Sequence, residues 1–264
     1  MNITGIIIAA VVVGAVGIVI GVLLGVASEK FKVVVDEREV LVRAELPGNN
    51  CGGCGYAGCD ALAKAIAEGK AAVNQCPVGG AAVADKIAAI MGVSAGAAEK
   101  KVAFVKCKGT CDKANVQYNY YGIDDCVKIA AAVPGSGNKA CSYGCLGSGS
   151  CVKACQFDAI HVVDGVAVVD KEKCVACGKC VAVCPRGLIE LVPYKAEHLV
   201  QCNSHDKGVD VKKKCDAGCI GCTLCTKQCE SDAIHMDNNL AVIDYEKCTN
   251  CGKCAAKCPA KVIR

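Results

Sequence analysis

The sequence predicts an α+β protein in which small cysteine-rich modules follow a single membrane-spanning helix at the amino terminus. Three observations predict this fold class. Residues 6–27 form an uncharged apolar run, 25 cysteines are grouped in closely spaced sets, and one cysteine pattern with an adjoining strand pair occurs twice. With no Trp and only three Phe, the chain is poorly equipped to build an ordinary hydrophobic core, so its small modules need another source of stability.

The number and spacing of the cysteines indicate metal ligation. The number is odd, and Cys-x2-Cys sets are not required by a disulfide framework, so we expect reduced thiols in a reducing compartment. The formal net charge of +4 is mild, and no basic stripe with interleaved aromatic side chains is present. We therefore expect no nucleic-acid partner.

The apolar run from Ile6 to Ala27 is long enough to cross a bilayer as one helix. A cleaved signal peptide is the alternative, but it requires a basic leader and a shorter apolar core. Lys30 and Lys32 follow the run and no basic residue precedes it, so the positive-inside rule predicts that the carboxyl side is cytoplasmic. We predict a single-pass protein of the cell membrane, with an anchor at residues 1–28 and its cysteines on the cytoplasmic side.

Two segments separate this anchor from the repeated modules. Residues 29–48 are charged and amphipathic and predict a helical stalk that ends at Pro47-Gly48. Residues 49–98 predict a small helical domain with one cubane [4Fe-4S] cluster, because a Gly-rich loop of closely spaced thiols is closed by a distant Cys-Pro. Its predicted ligands are Cys51, Cys54, Cys59 and Cys76. Zinc is the alternative.

Residues 193–264 carry the cysteine spacing of bacterial ferredoxins, which hold two [4Fe-4S] clusters. In that pattern three thiolates spaced two residues apart bind one cluster, and the fourth ligand comes from the other half of the module. The predicted sets are Cys219, Cys222, Cys225 with Cys258, and Cys248, Cys251, Cys254 with Cys229. Paired Cys-x2-Cys motifs also bind zinc, but the x3 spacing and the Cys-Pro at position 258 favour iron.

Residues 141–192 form a first ferredoxin module that lacks one ligand. Both modules contain a predicted tight hairpin, with Asp164-Gly165 or Asn238-Asn239 at the turn, and we expect His161 and His235 beside these turns to be structural. Aligning the modules on the hairpins places Ser148 over Cys222. One predicted set is complete (Cys155, Cys174, Cys177 and Cys180), and the other has three members (Cys145, Cys151 and Cys184).

Residues 99–140 are predicted to connect the domains, with a strand at 102–105 and a helix at 123–133. We hypothesise an extra four-thiolate site at Cys107, Cys111, Cys126 and Cys141. The incomplete set would then hold a three-iron [3Fe-4S] cluster or take a non-cysteine ligand. Alternatively, Cys141 completes that set and the other three are unused. Cys202 and Cys215 are predicted to be free thiols or packing residues, and the chain to hold five or six clusters.

The chain resembles the B subunit of the Rnf complex, a membrane-bound, ion-pumping ferredoxin:NAD oxidoreductase, in its long variety with two ferredoxin modules. The resemblance covers almost the whole chain, and its most specific part is residues 49–59, which read NNCGGCGYAGC. It implies an electron carrier without catalytic residues that accepts electrons from reduced ferredoxin and passes them to other membrane and peripheral subunits. It also implies that NAD chemistry and ion movement occur elsewhere in the complex. The nearest dinucleotide fingerprint, Gly135-x-Gly137-x2-Ala140, follows a helix and not a strand.

Three other functions are compatible with the pattern. They are an electron-wiring subunit of another membrane oxidoreductase, a catalytic iron–sulfur enzyme and a structural zinc protein. A catalytic cluster needs one iron free for substrate, and the incomplete site near Ser148 is the candidate for it. Lys212-Lys213-Lys214 predicts either a docking patch for an acidic protein or a solvated surface run.

Overall fold

A computed structural model describes residues 3–30, 36–96, 99–132 and 137–264. Its helices are α1 (Ile3–Lys30), α2 (Glu37–Glu45), α3 (Cys59–Ala67), α4 (Gly80–Met91), α5 (Cys126–Ala132), α6 (Ser150–Ala154), α7 (Lys179–Val183), α8 (Gly208–Lys214), α9 (Leu224–Lys227) and α10 (Lys253–Ala256). Its strands are β1 (Lys101–Val105), β2 (Ile160–Val163), β3 (Val166–Val169), β4 (Ile189–Pro193), β5 (Ile234–Asp237) and β6 (Leu240–Ile243).

Helix α1 is long and apolar, as the sequence predicts. The stretch Val11–Lys30 has a mean hydropathy of 2.6, and none of it is buried against the rest of the protein. By length and composition this helix is able to cross a membrane, which is consistent with membrane anchoring.

The predicted stalk contains a helix, α2, but that helix packs into the amino-terminal domain. Asp36 caps it by accepting a hydrogen bond from the Arg38 N–H. Val42 and Leu46 are buried in one core with side chains of α3 and α4. Within the predicted stalk (29–48), α2 therefore packs against the predicted domain (49–98), because an amphipathic helix buries its apolar face on the nearest helices. Residues 31–35 of the stalk lie outside the described chain.

The two predicted hairpins are present and equivalent. Strands β2 and β3 pair antiparallel, as do β5 and β6. The turn residues Asp164 and Gly165 have φ of 48° and 74°, and Asn238 and Asn239 have φ of 44° and 69°. These positive angles are why Asp, Gly and Asn occupy the turns.

Strand β1, in the region predicted as a connection (residues 99–140), packs into the core of the first ferredoxin module. Strand β1 pairs antiparallel with β4, with Val102 opposite Val192, and both residues are buried in the core of that module. The predicted helix at 123–133 is shorter than expected and begins at Cys126. Residues 133–136 lie outside the described chain.

The segment after β1 also contacts the second module. Ala114 pairs with Cys215 in an isolated bridge, the Asn115 N–H donates to Lys214 O at 3.0 Å, and the Asp216 N–H donates to Lys113 O at 2.9 Å. These backbone hydrogen bonds fix the two modules against each other along residues 113–115.

Candidate iron–sulfur sites

The complete set of the first module surrounds one cavity. Cys155, Cys174, Cys177 and Cys180 all line it. The Ala103 N–H of β1 donates to the Cys174 sulfur at 3.3 Å, so the added strand supports this site directly. Burial raises the pKa of the Cys180 thiol to about 11.

The first predicted set of the second module surrounds a matching cavity. Cys219, Cys222, Cys225 and Cys258 line it, and the Val262 N–H donates to the Cys258 sulfur at 3.4 Å. Burial raises the pKa of the Cys225 thiol to about 11.

The second set of this module is more open. Cys251 is exposed, and Cys248, Cys254 and Cys229 are half-buried. The Cys229 sulfur accepts a hydrogen bond from the Ala233 N–H at 3.3 Å, and the same bond joins Cys155 and Ala159 in the first module at 3.5 Å. The repeat therefore preserves the sulfur environment as well as the sequence.

The amino-terminal set lies at the core of its domain. Cys59 and Cys76 are buried there, with Cys54 packed against them. The Asn50 side chain accepts a hydrogen bond from the Cys59 N–H at 2.8 Å and so holds the loop onto the start of α3. Desolvation raises the pKa of the Cys76 thiol.

The set that lacks a ligand in the sequence gains Cys126 in the structure. Cys126 lines one cavity with Cys145, Cys151 and Cys184. Its N–H donates to Ser150 Oγ at 2.8 Å, which ties the start of α5 to the helix that carries Cys151. Burial raises the pKa of the Cys151 thiol to about 12. Four thiols are thus available where the sequence indicates three, which removes the reason to expect a three-iron cluster.

The hypothesised set of Cys107, Cys111, Cys126 and Cys141 does not come together. Cys126 belongs to the cavity just described, and Cys111 is exposed, with its sulfur against Gly165. Cys107 and Cys141 instead line a cavity between the modules with Cys202 and Cys215. Cys202 is also buried in the core of the second module, whereas Cys215 is half-buried.

The sequence does contain a signal for this arrangement. Cys107 matches Cys202 and Cys141 matches Cys215 when the two modules are aligned. Spacing within one repeat, however, cannot reveal a set of thiols that two repeats share. The fourth thiol that the sequence lacks at Ser148 is likewise supplied from outside residues 141–192. It comes from Cys126, the first residue of α5, 19 residues before Cys145 in the chain.

Four thiols line each of three cavities in the two modules, which leaves space between the sulfurs for a cluster. A zinc ion would draw four sulfurs to about 2.3 Å from one centre. In a cubane each thiolate binds a different iron, so the four sulfurs stand further apart around a cavity. The residues therefore fit [4Fe-4S] clusters.

Three family models match the chain. One described as "Putative Fe-S cluster" matches residues 46–78, a 4Fe-4S binding domain matches residues 167–190, and a 4Fe-4S dicluster domain matches residues 218–262. They agree with the amino-terminal domain and both ferredoxin modules of the predicted fold class. Cys107, Cys126, Cys141, Cys202 and Cys215 lie outside all three matches.

Curated relatives match nearly the whole chain. It is 48% identical to the B subunit of the Na(+)-translocating ferredoxin:NAD(+) oxidoreductase complex of Acetobacterium woodii, over 96% of this chain and 75% of the relative. It is 46% identical to the B subunit of the ion-translocating oxidoreductase complex of Methanosarcina acetivorans, over 96% and 95%. It is 42% identical to the B subunit of the proton-translocating ferredoxin:NAD(+) oxidoreductase complex of Clostridium ljungdahlii, over 96% and 90%.

Identity at this level over nearly the full length confirms the resemblance derived from the cysteine motifs. The chain belongs to the family of B subunits of ion-translocating ferredoxin:NAD oxidoreductase complexes, the Rnf complexes, in which it is an iron–sulfur electron-transfer subunit.

Proposed function

We propose that this subunit accepts electrons from reduced ferredoxin on the cytoplasmic side of the membrane and relays them to other subunits of the complex. The observation that carries the proposal is that the amino-terminal set contacts the first module and that the first module contacts the second. The proposed ligand sets are Cys51, Cys54, Cys59, Cys76; Cys155, Cys174, Cys177, Cys180; Cys126, Cys145, Cys151, Cys184; Cys219, Cys222, Cys225, Cys258; and Cys229, Cys248, Cys251, Cys254.

When bound, the clusters supply one-electron redox chemistry at potentials set by burial and by hydrogen bonds to sulfur. The protein provides the thiolates, excludes water and holds the sets close together. The loop of the amino-terminal set touches the first module, since a Cβ added to Gly53 would lie 2.8 Å from Cys177 O. Within that module, α6 with Cys151 packs on α7 with Cys180.

A catalytic iron–sulfur enzyme is less well supported. Its one candidate site is the incomplete set near Ser148, where a free iron would meet substrate. Cys126 supplies a fourth thiol at this cavity, so no iron needs to be left without a protein ligand. The geometry supports electron transfer as the role of this site too.

We infer that ferredoxin docks on the second module near α8. Lys212 and Lys213 are exposed, although Lys213 Nζ lies 3.9 Å from Asp210 Oδ1. Lys214 is paired more closely, with Asp206 at 2.8 Å, and lies against the cavity between the modules. The first residue of α8, Gly208, packs against Ile220, in the loop that carries Cys219 and Cys222. The proposed patch is therefore Lys212 and Lys213, without Lys214.

Replacing both lysines by alanine is expected to lower the second-order rate of reduction by ferredoxin several-fold at low ionic strength, because steering of an acidic partner is lost. At high salt the rates should converge, since the attraction is screened. Stopped-flow bleaching of the visible absorbance measures the rate of reduction at low and at high ionic strength. The matched control is Lys128→Ala with Lys171→Ala, two exposed lysines of the first module. Equal rates for both double variants would rule out the patch.

The proposed membrane orientation has its own test. Because Lys30 is the last residue of α1 and residues 1–29 contain no basic side chain, a protein fused after Arg264 is expected to lie in the cytoplasm. A phosphatase and a fluorescent reporter fused at the same position give opposite signals for the two orientations. Phosphatase activity outside the cell would overturn the proposal.

A further inference from the structure

We propose that Cys107, Cys141, Cys202 and Cys215 hold a further [4Fe-4S] cluster, shared between the two ferredoxin modules, that bridges their cluster sets. Two of these ligands come from the first repeat and its preceding segment, and two from the second. Its role as a bridge rests on the electron relay proposed above, whereas its existence as a metal site does not.

The cavity between the modules has the size and lining of the regular cluster sites. Its empty space, mouth included, is about 460 Å³. The cavities of the regular sets measure about 360 Å³ in the first module and about 330 Å³ in the second by the same measure. Each of the three is lined by four cysteines, so the cavity between the modules has room for the same cofactor.

The sulfurs converge on this space. A Cβ added to Gly109 would lie 3.3 Å from the Cys215 sulfur and 3.8 Å from the Cys107 sulfur, so both sulfurs lie close to this one residue. Cys202 is buried, and Cys141 is half-buried beside Gly144. Thiols drawn together from two modules, with a cavity between them, have the arrangement expected of cluster ligands.

The repeat makes the same contact on both sides of the cavity. The Cys145 N–H donates to the Cys107 sulfur at 3.4 Å, and the Cys219 N–H donates to the Cys202 sulfur at 3.3 Å. Cys145 and Cys219 are equivalent positions in the two modules, as are Cys107 and Cys202. Backbone N–H donors to sulfur are the contacts that stabilise and tune a cluster thiolate.

These two hydrogen bonds also connect the proposed cluster to a neighbouring set in each module. Cys145 is a ligand of the set completed by Cys126, and Cys219 is a ligand of the first set of the second module. One hydrogen bond therefore separates a ligand of the proposed cluster from a ligand of the neighbouring set on each side. Arg186 stabilises the loop that carries Cys141, because its guanidinium donates hydrogen bonds to Cys141 O and to Gly144 O, both at 3.0 Å. The site completes an unbroken series of sets across both modules.

The test compares two pairs of substitutions in the full chain, purified without oxygen. Cys202→Ala with Cys215→Ala removes the ligands from the second module, and Cys107→Ala with Cys141→Ala removes those from the first. Each pair is expected to lower iron and acid-labile sulfide by about four per chain. Combining all four substitutions is expected to cost no more iron than either pair alone, because both pairs serve one cluster.

The control is Cys111→Ala, the exposed cysteine outside the sets, which is expected to keep all iron. If either pair keeps the full iron content, or if the losses of the two pairs add, the shared cluster does not exist. Should the variants not accumulate, alkylation of the wild-type holo-chain gives a second readout. Cys111 should react while the half-buried Cys215 stays protected until the iron is removed, and reaction of Cys215 in the holo-chain would overturn the proposal.

The bridging role is measured separately by reduction. In a pair variant, reduced ferredoxin is expected to bleach the clusters of one module quickly and those of the other at least tenfold more slowly, whereas dithionite bleaches all of them. Bleaching at the wild-type rate would exclude the bridge. If ferredoxin fails to reduce the wild-type chain at all, the proposed function fails, but the iron analysis still decides whether the cluster is present.

Discussion

Replacing Cys126 by alanine is expected to convert one four-iron cluster into a three-iron cluster, with the loss of about one iron per chain. Cys126 reaches the cavity of Cys145, Cys151 and Cys184 from a helix outside the ferredoxin motif. Without it, three thiols remain, and three thiols are the ligand set of a [3Fe-4S] cluster. Electron paramagnetic resonance of the oxidised variant should show the three-iron signal, which the oxidised wild-type chain should lack.

The matched control for this experiment is again Cys111→Ala, because the sequence alone groups Cys111 and Cys126 in one hypothetical site. On the structural grouping only the Cys126 variant changes its spectrum. A three-iron signal already present in the wild-type chain, or a Cys111 variant that behaves like the Cys126 variant, would refute the assignment of Cys126.

Replacing Gly53 by alanine is expected to separate the amino-terminal domain from the first module without loss of iron. A Cβ at this position would lie 2.8 Å from Cys177 O and 2.9 Å from Cys177 Cα, and backbone atoms at a cluster ligand have little freedom to move. In the Gly53→Ala variant the amino-terminal domain therefore cannot pack against the first module as it does in the wild-type chain. The four thiols of each set are unchanged. Hydrogen exchange at residues 51–56 and 175–178 should become faster by an order of magnitude or more.

The same variant should also show an electron-transfer defect. Reduced ferredoxin is expected to leave about one cluster's worth of absorbance unbleached on the timescale of the wild-type reaction. Gly96→Ala serves as the control, because a Cβ there would meet only Asn74 Nδ2 at an ordinary 3.5 Å. Unchanged hydrogen exchange and complete bleaching in the Gly53 variant would show that the contact between Gly53 and Cys177 does not link the two sites.

The regular parts of this protein were predictable because their determinants are local. Cys-x2-Cys spacing places three thiols on one loop, Asp164-Gly165 and Asn238-Asn239 accept positive φ, and the uncharged run from Ile6 gives a membrane-length helix. Each of these features is decided within about thirty residues of chain. The family resemblance rests on the same local motifs, and the relatives confirm it.

The irregular sites were not predictable from local spacing. Cys126 joins its set only because α5 folds back onto Ser150, and that contact leaves no periodic trace in the sequence. Cys107 and Cys215 line one cavity because residues 113–115 pair with residues 214–216 of the second module. Strand β1 likewise finds its partner, β4, about ninety residues further along the chain. Long-range pairing of this kind depends on tertiary packing, which overrides local preference.

We propose that 24 of the 25 cysteines form six four-thiolate sets, with Cys111 left over. The most direct measurement is iron, acid-labile sulfide and zinc per chain on anaerobically purified protein, normalised by amino-acid analysis. We expect about 24 iron and about 24 sulfide per chain with negligible zinc, as six [4Fe-4S] clusters require. A reproducible value near 16 iron, corresponding to the regular motifs alone, or zinc in stoichiometric amounts, would contradict it.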